Sequence, residues 1–401
     1  SEIIDKAHDV LVNYGFVYLS MQVRTGKTLT AMGTAQKLGV DNMLFVTKKK
    51  AISSIEDDYK LLSPKFHLTV INYESLHKVA GKYECIVLDE AHGMGAYPKP
   101  SKRTKMIKQI IKKQNPFVIL MSGTPTPESF SQMYHQVYAC PKNPFRHHAT
   151  FYKFAKQYVD VVQIKIGAMP HNNYSNGRTS ILDEMKPYMI SYTQKEAGFK
   201  VKTVEEIIKV PMNPLTYKLT KELKKSNVIE GEDEVILADT GVKLMSKLHQ
   251  LYSGTVKFES GKAQVIDKTK AEFIKTKFKN MKIGIFYIFK AEYDALKSVL
   301  GDTLTSDIKE FQETDKNIAL QIVSGREGIS LKEADCLVYY NIHFSALSYW
   351  QSRDRMTTKD SILNKVYWIF SDKGIEDKIY RAVSKKKDYT LRHFNKDLLS
   401  L

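Results

Sequence analysis

The sequence predicts an α/β protein of two lobes, each a parallel sheet wrapped by helices. Three observations carry that expectation. Short apolar runs alternate with amphipathic stretches along the chain, the pattern of strands joined by helical crossovers. Several of the runs end in polar or glycine-rich turns, where such sheets place their chemistry. The 401 residues also exceed one ordinary domain, so a boundary is expected. It falls near residue 203, giving lobes of 1–202 and 203–401.

In the first lobe, strands are expected at Phe16 to Leu19, Met43 to Val46, Cys85 to Leu88 and Phe117 to Met121, each short and apolar. After the first of these, Leu29, Met32 and Ala35 recur at helical spacing until Gly39 stops the run. Between about 150 and 202 the pattern loosens, with Pro170, Asn172-Asn173, Asn176-Gly177 and Pro187 marking turns. This stretch reads as an accessory or connecting segment with a mobile loop around 168–180. Strands resume at Ile207 to Val210, Ile283 to Ile288, Ile318 to Val323, Cys336 to Tyr340 and Val366 to Phe370.

Composition narrows the function. Hydrophobic residues form 43% of the chain and charged ones 26%, which supplies real cores and excludes a wholly disordered chain. Lys and Arg number 61 against 44 Asp and Glu, a net charge of +17 that points to a polyanion, nucleic acid before a membrane surface. Basic residues bunch at Lys48–Lys50, across Lys99–Lys113 and at Lys385–Lys387. Cys85, Cys140 and Cys336 are far apart, which excludes a disulfide framework or cysteine-rich zinc module and suits a reducing compartment. No apolar run approaches a membrane span, and Ser1 to Asp5 do not read as a signal peptide, so no membrane partner is expected. His147-His148 lacks a third ligand at a supporting spacing, and no metal centre is expected there.

Three turns carry chemistry. Thr25-Gly26-Lys27-Thr28 follows the first strand and opens a helix, although Met21 stands where a full phosphate-loop signature begins with glycine. Backbone N–H groups there can surround a phosphate, Lys27 can reach β/γ oxygens, and the Thr28 hydroxyl can hold Mg²⁺. The strand Cys85 to Leu88 runs into Asp89-Glu90-Ala91-His92, a pair of carboxylates at a buried strand end. Asp89 suits Mg²⁺ and Glu90 suits orienting and deprotonating an attacking water. A third strand ends in Ser122-Gly123-Thr124-Pro125, small hydroxyl residues able to change partners when a γ-phosphate leaves.

Together these residues resemble a superfamily-two helicase core, and within it the Swi/Snf-type double-stranded-DNA translocases. Phe45 to Lys48 resembles motif Ia and Val70 to Glu74 motif Ib, with motifs I, II and III at the three turns above. Gly284 to Tyr287 resembles motif IV, Ser324 to Leu331 motif V and Gln351 to Arg355 motif VI. Gly374 to Ile379 matches the segment that follows motif VI in such relatives. The resemblance implies two RecA-like lobes with ATP and Mg²⁺ in a cleft between them. Lys27, Thr28, Asp89 and Glu90 would come from the first lobe, Gln351 and an arginine finger at Arg355 from the second. Thr25, Gly26, Gly328 and Arg353 would flank the nucleotide, and Lys48, Tyr73 and Arg326 would face the nucleic acid.

This sequence departs from the relatives in places. Arg24 and Arg326 stand where they carry glycine, and Thr358, followed by Lys359, stands where they carry a second motif VI arginine. Arg355 then suffices alone, or Arg353 or Lys359 substitutes. No upstream glutamine suits adenine recognition.

The resemblance implies an ATP hydrolase that moves along DNA, duplex or branched, in a minimal bacteriophage- or bacterial-type enzyme working in the cytoplasm of a bacterial or infected host cell. Two other readings stand beside it: a strand-separating or branch-migrating helicase of recombination, replication or repair, and an ATP-gated nucleic-acid clamp or assembly subunit.

Overall fold

A computed structural model describes residues 1–166, 169–200, 202–325, 329–353, 355–356, 363–385, 393–394 and 397. The chain divides into two compact units, Ser1–Gly198 and Phe199–Leu401.

In the first unit, α1 (Glu2–Tyr14) closes on Gly15, whose φ of 73° lets its N–H cap Leu11 and turn the chain into β1 (Phe16–Met21). A crossover through α2 (Lys27–Leu38) leads to β2 (Asn42–Thr47). Next come α3 (Ile52–Leu62), β3 (His67–Asn72), β4 (Cys85–Leu88), α4 (Lys102–Gln114) and β5 (Phe117–Met121). Beyond them lie α5 (Met133–Val137), α6 (Phe151–Tyr158), an antiparallel hairpin of β6 (Val162–Ile166) and β7 (Met169–Asn173), α7 (Ser180–Met185) and β8 (Met189–Tyr192). The six-stranded sheet has the order β3-β2-β4-β5-β1-β8 and is parallel throughout. Its central strands are apolar over most of their length because both faces are covered, with Ser20, Asn42 and Thr47 the polar exceptions near strand ends. Phe16, Tyr18, Leu44, Val46, Ile86 and Leu88 enter one core while Val17, Leu19, Met43, Phe45, Cys85 and Val87 enter the other.

Two strands of this sheet were not expected from sequence. Both are edges. In β3 every residue is at least partly exposed, and β8 emerges from the loosely patterned stretch after residue 150. That stretch contributes ordered elements, and its last strand pairs with Tyr18–Met21.

The second unit begins with β9 (Lys202–Val210), α8 (Pro214–Ser226), the hairpin β10 (Val228–Glu230) and β11 (Val235–Leu237), and α9 (Gly241–Tyr252). The hairpin β12 (Thr255–Lys257) and β13 (Ala263–Val265) precedes α10 (Thr269–Lys277), β14 (Ile283–Tyr287), α11 (Lys290–Leu300), β15 (Leu304–Thr305) and α12 (Ile308–Glu313). Then come β16 (Asn317–Gln321), α13 (Ile322–Gly325), β17 (Cys336–Tyr339), α14 (Ala346–Arg353), β18 (Leu363–Ser371) and α15 (Glu376–Val383). Its sheet is also parallel, in the order β15-β16-β14-β17-β18-β9. The strand expected to reach Val323 stops at Gln321, because Ile322 to Gly325 coil into a helical turn.

A fully buried ion pair fastens this unit. Lys270 on α10 meets Glu376 on α15 at 2.8 Å, and Lys270 also donates to the Tyr340 carbonyl at 3.2 Å. Among the described residues no helix is long and apolar enough to cross a membrane.

Candidate active site

The strand order of the first sheet assembles the site. The strands β2, β4, β5 and β1 are consecutive neighbours, so the turns at their ends stand side by side. Those turns carry Thr47-Lys48, Asp89-Glu90, Ser122–Thr124 and Gln22–Lys27. No local feature of the sequence announces this: β1 and β2 are joined by a crossover, and the later β4 and β5 insert between them.

The loop after β1 is a tight turn. Thr25 donates to the Gln22 carbonyl through its N–H at 3.4 Å and its hydroxyl at 2.8 Å. Gly26 caps α2 at φ 85°, a left-handed conformation that glycine adopts without cost. Lys27 donates from Nζ to the carbonyls of Met21 and Gln22, at 3.0 and 3.1 Å, which folds it over the loop that would receive phosphate. Thr28 sits in the first turn of α2. A brace unseen in the sequence comes from the residues after β8. Gln194 donates through its backbone N–H to Gln22 Oε1 at 2.7 Å and through Nε2 to the Val23 carbonyl at 3.0 Å.

Asp89 is held from three sides. Its Oδ2 accepts the Thr47 hydroxyl at 2.8 Å, its Oδ1 accepts the Glu90 N–H at 3.0 Å, and its carbonyl accepts the Tyr73 hydroxyl at 2.6 Å. Burial, followed by the charge of Glu90, pushes its carboxyl up to about 6, while Thr47 and Lys27 pull the other way. Glu90 has φ 50°, a left-handed backbone that costs a non-glycine residue about 1 kcal/mol or more and is kept only where the surroundings enforce it.

The second and third motifs are wired together. The His92 ring nitrogen lies 3.2 Å from Glu90 Oε2 and 2.9 Å from the Ser122 hydroxyl, which in turn accepts the Thr124 N–H at 3.1 Å. Gln136 on α5 extends the network: it accepts the Tyr18 hydroxyl at 2.6 Å and donates to the Pro125 carbonyl at 2.8 Å. A change at Glu90 therefore has a continuous polar path to the turn after β5.

In the second unit, Gln351 is buried on α14. Arg353 Nη1 pairs with Glu205 Oε1 of β9 at 2.9 Å, and its guanidinium lies 4.8 Å from the Trp350 ring centre. Glu205 also accepts Tyr349, Trp368 and Tyr380, so one carboxylate gathers four donors, a role with no sequence signal. Arg355 is only 7% exposed. Its Nη1 points to the Ile329 carbonyl at 3.5 Å and its own carbonyl accepts the Leu331 N–H at 3.0 Å, which ties the end of motif V to motif VI.

Of the residues expected to face nucleic acid, Lys48 is partly exposed at the start of a short 3₁₀ turn. Tyr73 is buried, with its hydroxyl on Asp89 and the Arg103 guanidinium 5.6 Å from its ring centre. The residue is 5% exposed, so little of it faces outward. Arg326 and Gly328, together with Thr358 and Lys359, lie outside the described residues.

Adjacent strand ends bearing a Lys-Thr turn, a carboxylate pair and a Ser-Gly-Thr turn define an ATP hydrolase core of superfamily two. The chain belongs to the SNF2-related domain family, whose pattern matches residues 26–259, more than half of its length. Among solved structures it is similar to the Sulfolobus solfataricus SWI2/SNF2 ATPase core in complex with dsDNA. The two share 15% identity over 99% of this chain and 91% of that one, with a TM-score of 0.41. No curated protein matches the chain.

Proposed function

We propose that the protein is an ATP-driven motor that tracks along duplex DNA, with residues 1–202 and 203–401 acting as its two RecA-like lobes. The observation that carries the reading is the meeting of motifs I, II and III at neighbouring strand ends, in a chain of the SNF2-related family. ATP is the substrate. Lys27 neutralises β/γ oxygens, Thr25 closes the turn that shapes the loop, and Gly26 presents its backbone N–H to the phosphates. Glu90 orients a water for attack on the γ-phosphorus; the bond to the leaving ADP oxygen breaks and the water's proton passes to Glu90. Gln351 and Arg355 act from the second lobe, where Arg355 offsets charge on the transferring group. Gly328 and Arg353 line the nucleotide, and Lys48 and Arg326 hold the DNA backbone. Tyr73 supports Asp89 from within the core.

The residues present fit Mg²⁺. A buried carboxylate whose proton affinity is raised, at a strand end near the Lys-Thr turn, suits an ion that keeps several waters and takes its remaining oxygens from phosphates. Asp89 and Thr28 would hold it. When bound, it neutralises phosphate charge. The three thiols are buried and unlinked, in keeping with work in the cytoplasm of a bacterial or phage-infected cell.

The test is the steady-state ATPase rate alone and with duplex, branched or single-stranded DNA or RNA, using Lys27→Ala and Glu90→Gln as references. Duplex is expected to raise the rate, and each variant to lower it at least about 100-fold. A fully active Lys27→Ala protein would sink the assignment, and stimulation by single strands alone would move it to a strand-separating helicase.

A further inference from the structure

The loop that would cradle phosphate contains an arginine where the backbone asks for glycine. Gln22-Val23-Arg24-Thr25 is a four-residue turn closed by the Thr25 N–H on the Gln22 carbonyl at 3.4 Å. Arg24 occupies its third position at φ 63°. Turns with a left-handed third residue favour Gly, which has no Cβ to crowd the backbone, or Asn, whose short amide bonds to the local backbone. Strain of this kind persists where the surroundings enforce it and gathers at functional sites, and in this loop-and-strand-end region Glu90 shares it at φ 50°. What this side chain brings is a permanent cation, three residues before Lys27 and two before the Gly26 cap.

The described arginines of motif VI make contacts within their own unit. Arg353 pairs with Glu205 and lies against Trp350. Arg355 is almost fully buried, with its guanidinium at the Ile329 carbonyl. The next place in motif VI where a further arginine would be useful is Thr358. In-line displacement at a γ-phosphate spreads negative charge over several oxygens, so a guanidinium beside Lys27 would add to the positive charge that Lys27 and Arg355 supply.

We propose that Arg24 is a catalytic residue of this ATPase: an arginine supplied from the phosphate loop itself, which binds the terminal phosphate of ATP and offsets charge developing there. The inference rests on the reading of Lys27 and its loop as the ATP site. Arg24 carries five N–H donors in a rigid fork, suited to pairing two phosphate oxygens at once, which a lysine at the same place would do less well. The turn is already closed, so its backbone incurs no entropy cost of ordering when the nucleotide arrives. It also follows that the loop discriminates triphosphate from diphosphate before the second lobe contributes.

The experiment compares Arg24→Gly, Arg24→Asn and Arg24→Lys in the full chain, with Lys27→Ala alongside. Gly and Asn accept a left-handed backbone, so both variants should melt within about 2 °C of the parent or above it. ATP turnover on duplex DNA should fall about 100-fold in both, with Arg24→Lys recovering part of the loss. Binding of a fluorescent ATP analogue, read by equilibrium titration, should weaken about 10-fold, while binding of the matching ADP analogue changes less than about 3-fold. Parental turnover in Arg24→Gly beside an inactive Lys27→Ala would overturn the role of Arg24 and leave the ATP site standing. Equal weakening of ATP and ADP would overturn the assignment to the terminal phosphate. An active Lys27→Ala would instead remove the site on which the proposal rests.

Discussion

Replacing Lys270 by methionine removes the only cation paired with Glu376 among the described residues, and both side chains have no solvent exposure. Glu376 would keep the Ser371 N–H at 3.2 Å and the Ser371 hydroxyl at 3.0 Å. Two donors from one residue are few for a carboxylate that offers about four acceptor sites. A buried charge stranded in this way costs about 3–5 kcal/mol. For a unit of this size, each kcal/mol moves the melting temperature by roughly 2–4 °C, so a fall of about 6–20 °C is expected. The assay is built into the chain: its two tryptophans, Trp350 and Trp368, both belong to the second unit. Their fluorescence through a urea titration reports that unit's unfolding by itself. The midpoint should drop with little change in slope. The double variant Lys270→Met with Glu376→Leu should recover at least half of the loss, because it removes the stranded charge rather than creating it. ATP turnover should fall as well, since Lys270 holds the Tyr340 carbonyl just ahead of the helix bearing Gln351. A single variant that loses less than about 1 kcal/mol, or a double variant no better than the single, would refute the reasoning.

Other expectations are more local. His249 is buried between Phe289 and Phe344 and pushed down to about 3 by desolvation, so it stays neutral in the fold while the unfolded chain takes up a proton below about 6.5. Its stabilisation is complete above that value and is lost as pH falls toward 3; urea midpoints should show the parent losing roughly 2 kcal/mol more than His249→Gln between pH 7 and pH 5. Tyr73→Phe deletes the donor to the Asp89 carbonyl and should cost about 1–2 kcal/mol and lower ATP turnover, with duplex affinity unchanged. Loss of affinity with normal turnover would restore Tyr73 as a DNA contact. Binding to duplex should weaken log-linearly with salt, and Lys48→Ala should reduce the slope by about 1 in a titration across salt concentrations; an unaltered slope would remove Lys48 from the interface.

The central strands were readable from the chain because their surroundings leave one answer. Strands covered on both faces are mostly apolar, and Cys85–Leu88 and Phe117–Met121 appear with the bounds their composition suggests. Edge strands obey no such rule. His67–Asn72 mixes polar and apolar residues because neither face is fully covered, and Met189–Tyr192 hides in a turn-rich stretch. The chemistry of the site was legible for a related reason. A lysine and threonine at a helix start, or two carboxylates at a buried strand end, are contiguous in the chain, so their spacing alone announces them.

Residues that act across long separations left no such trace. Gln194 braces a loop 172 positions away, and Glu205 gathers Tyr349, Arg353, Trp368 and Tyr380 from three later elements. Tyr73 shows the limit most clearly: the chain marks it as a residue of a motif, and only packing shows its hydroxyl turned inward onto Asp89. Which groups occur, and in what order, is a property of covalent neighbours and of the burial period of short segments. Which groups meet depends on the order of strands in a sheet, and that is settled by the simultaneous packing of both faces and not by any one stretch of chain.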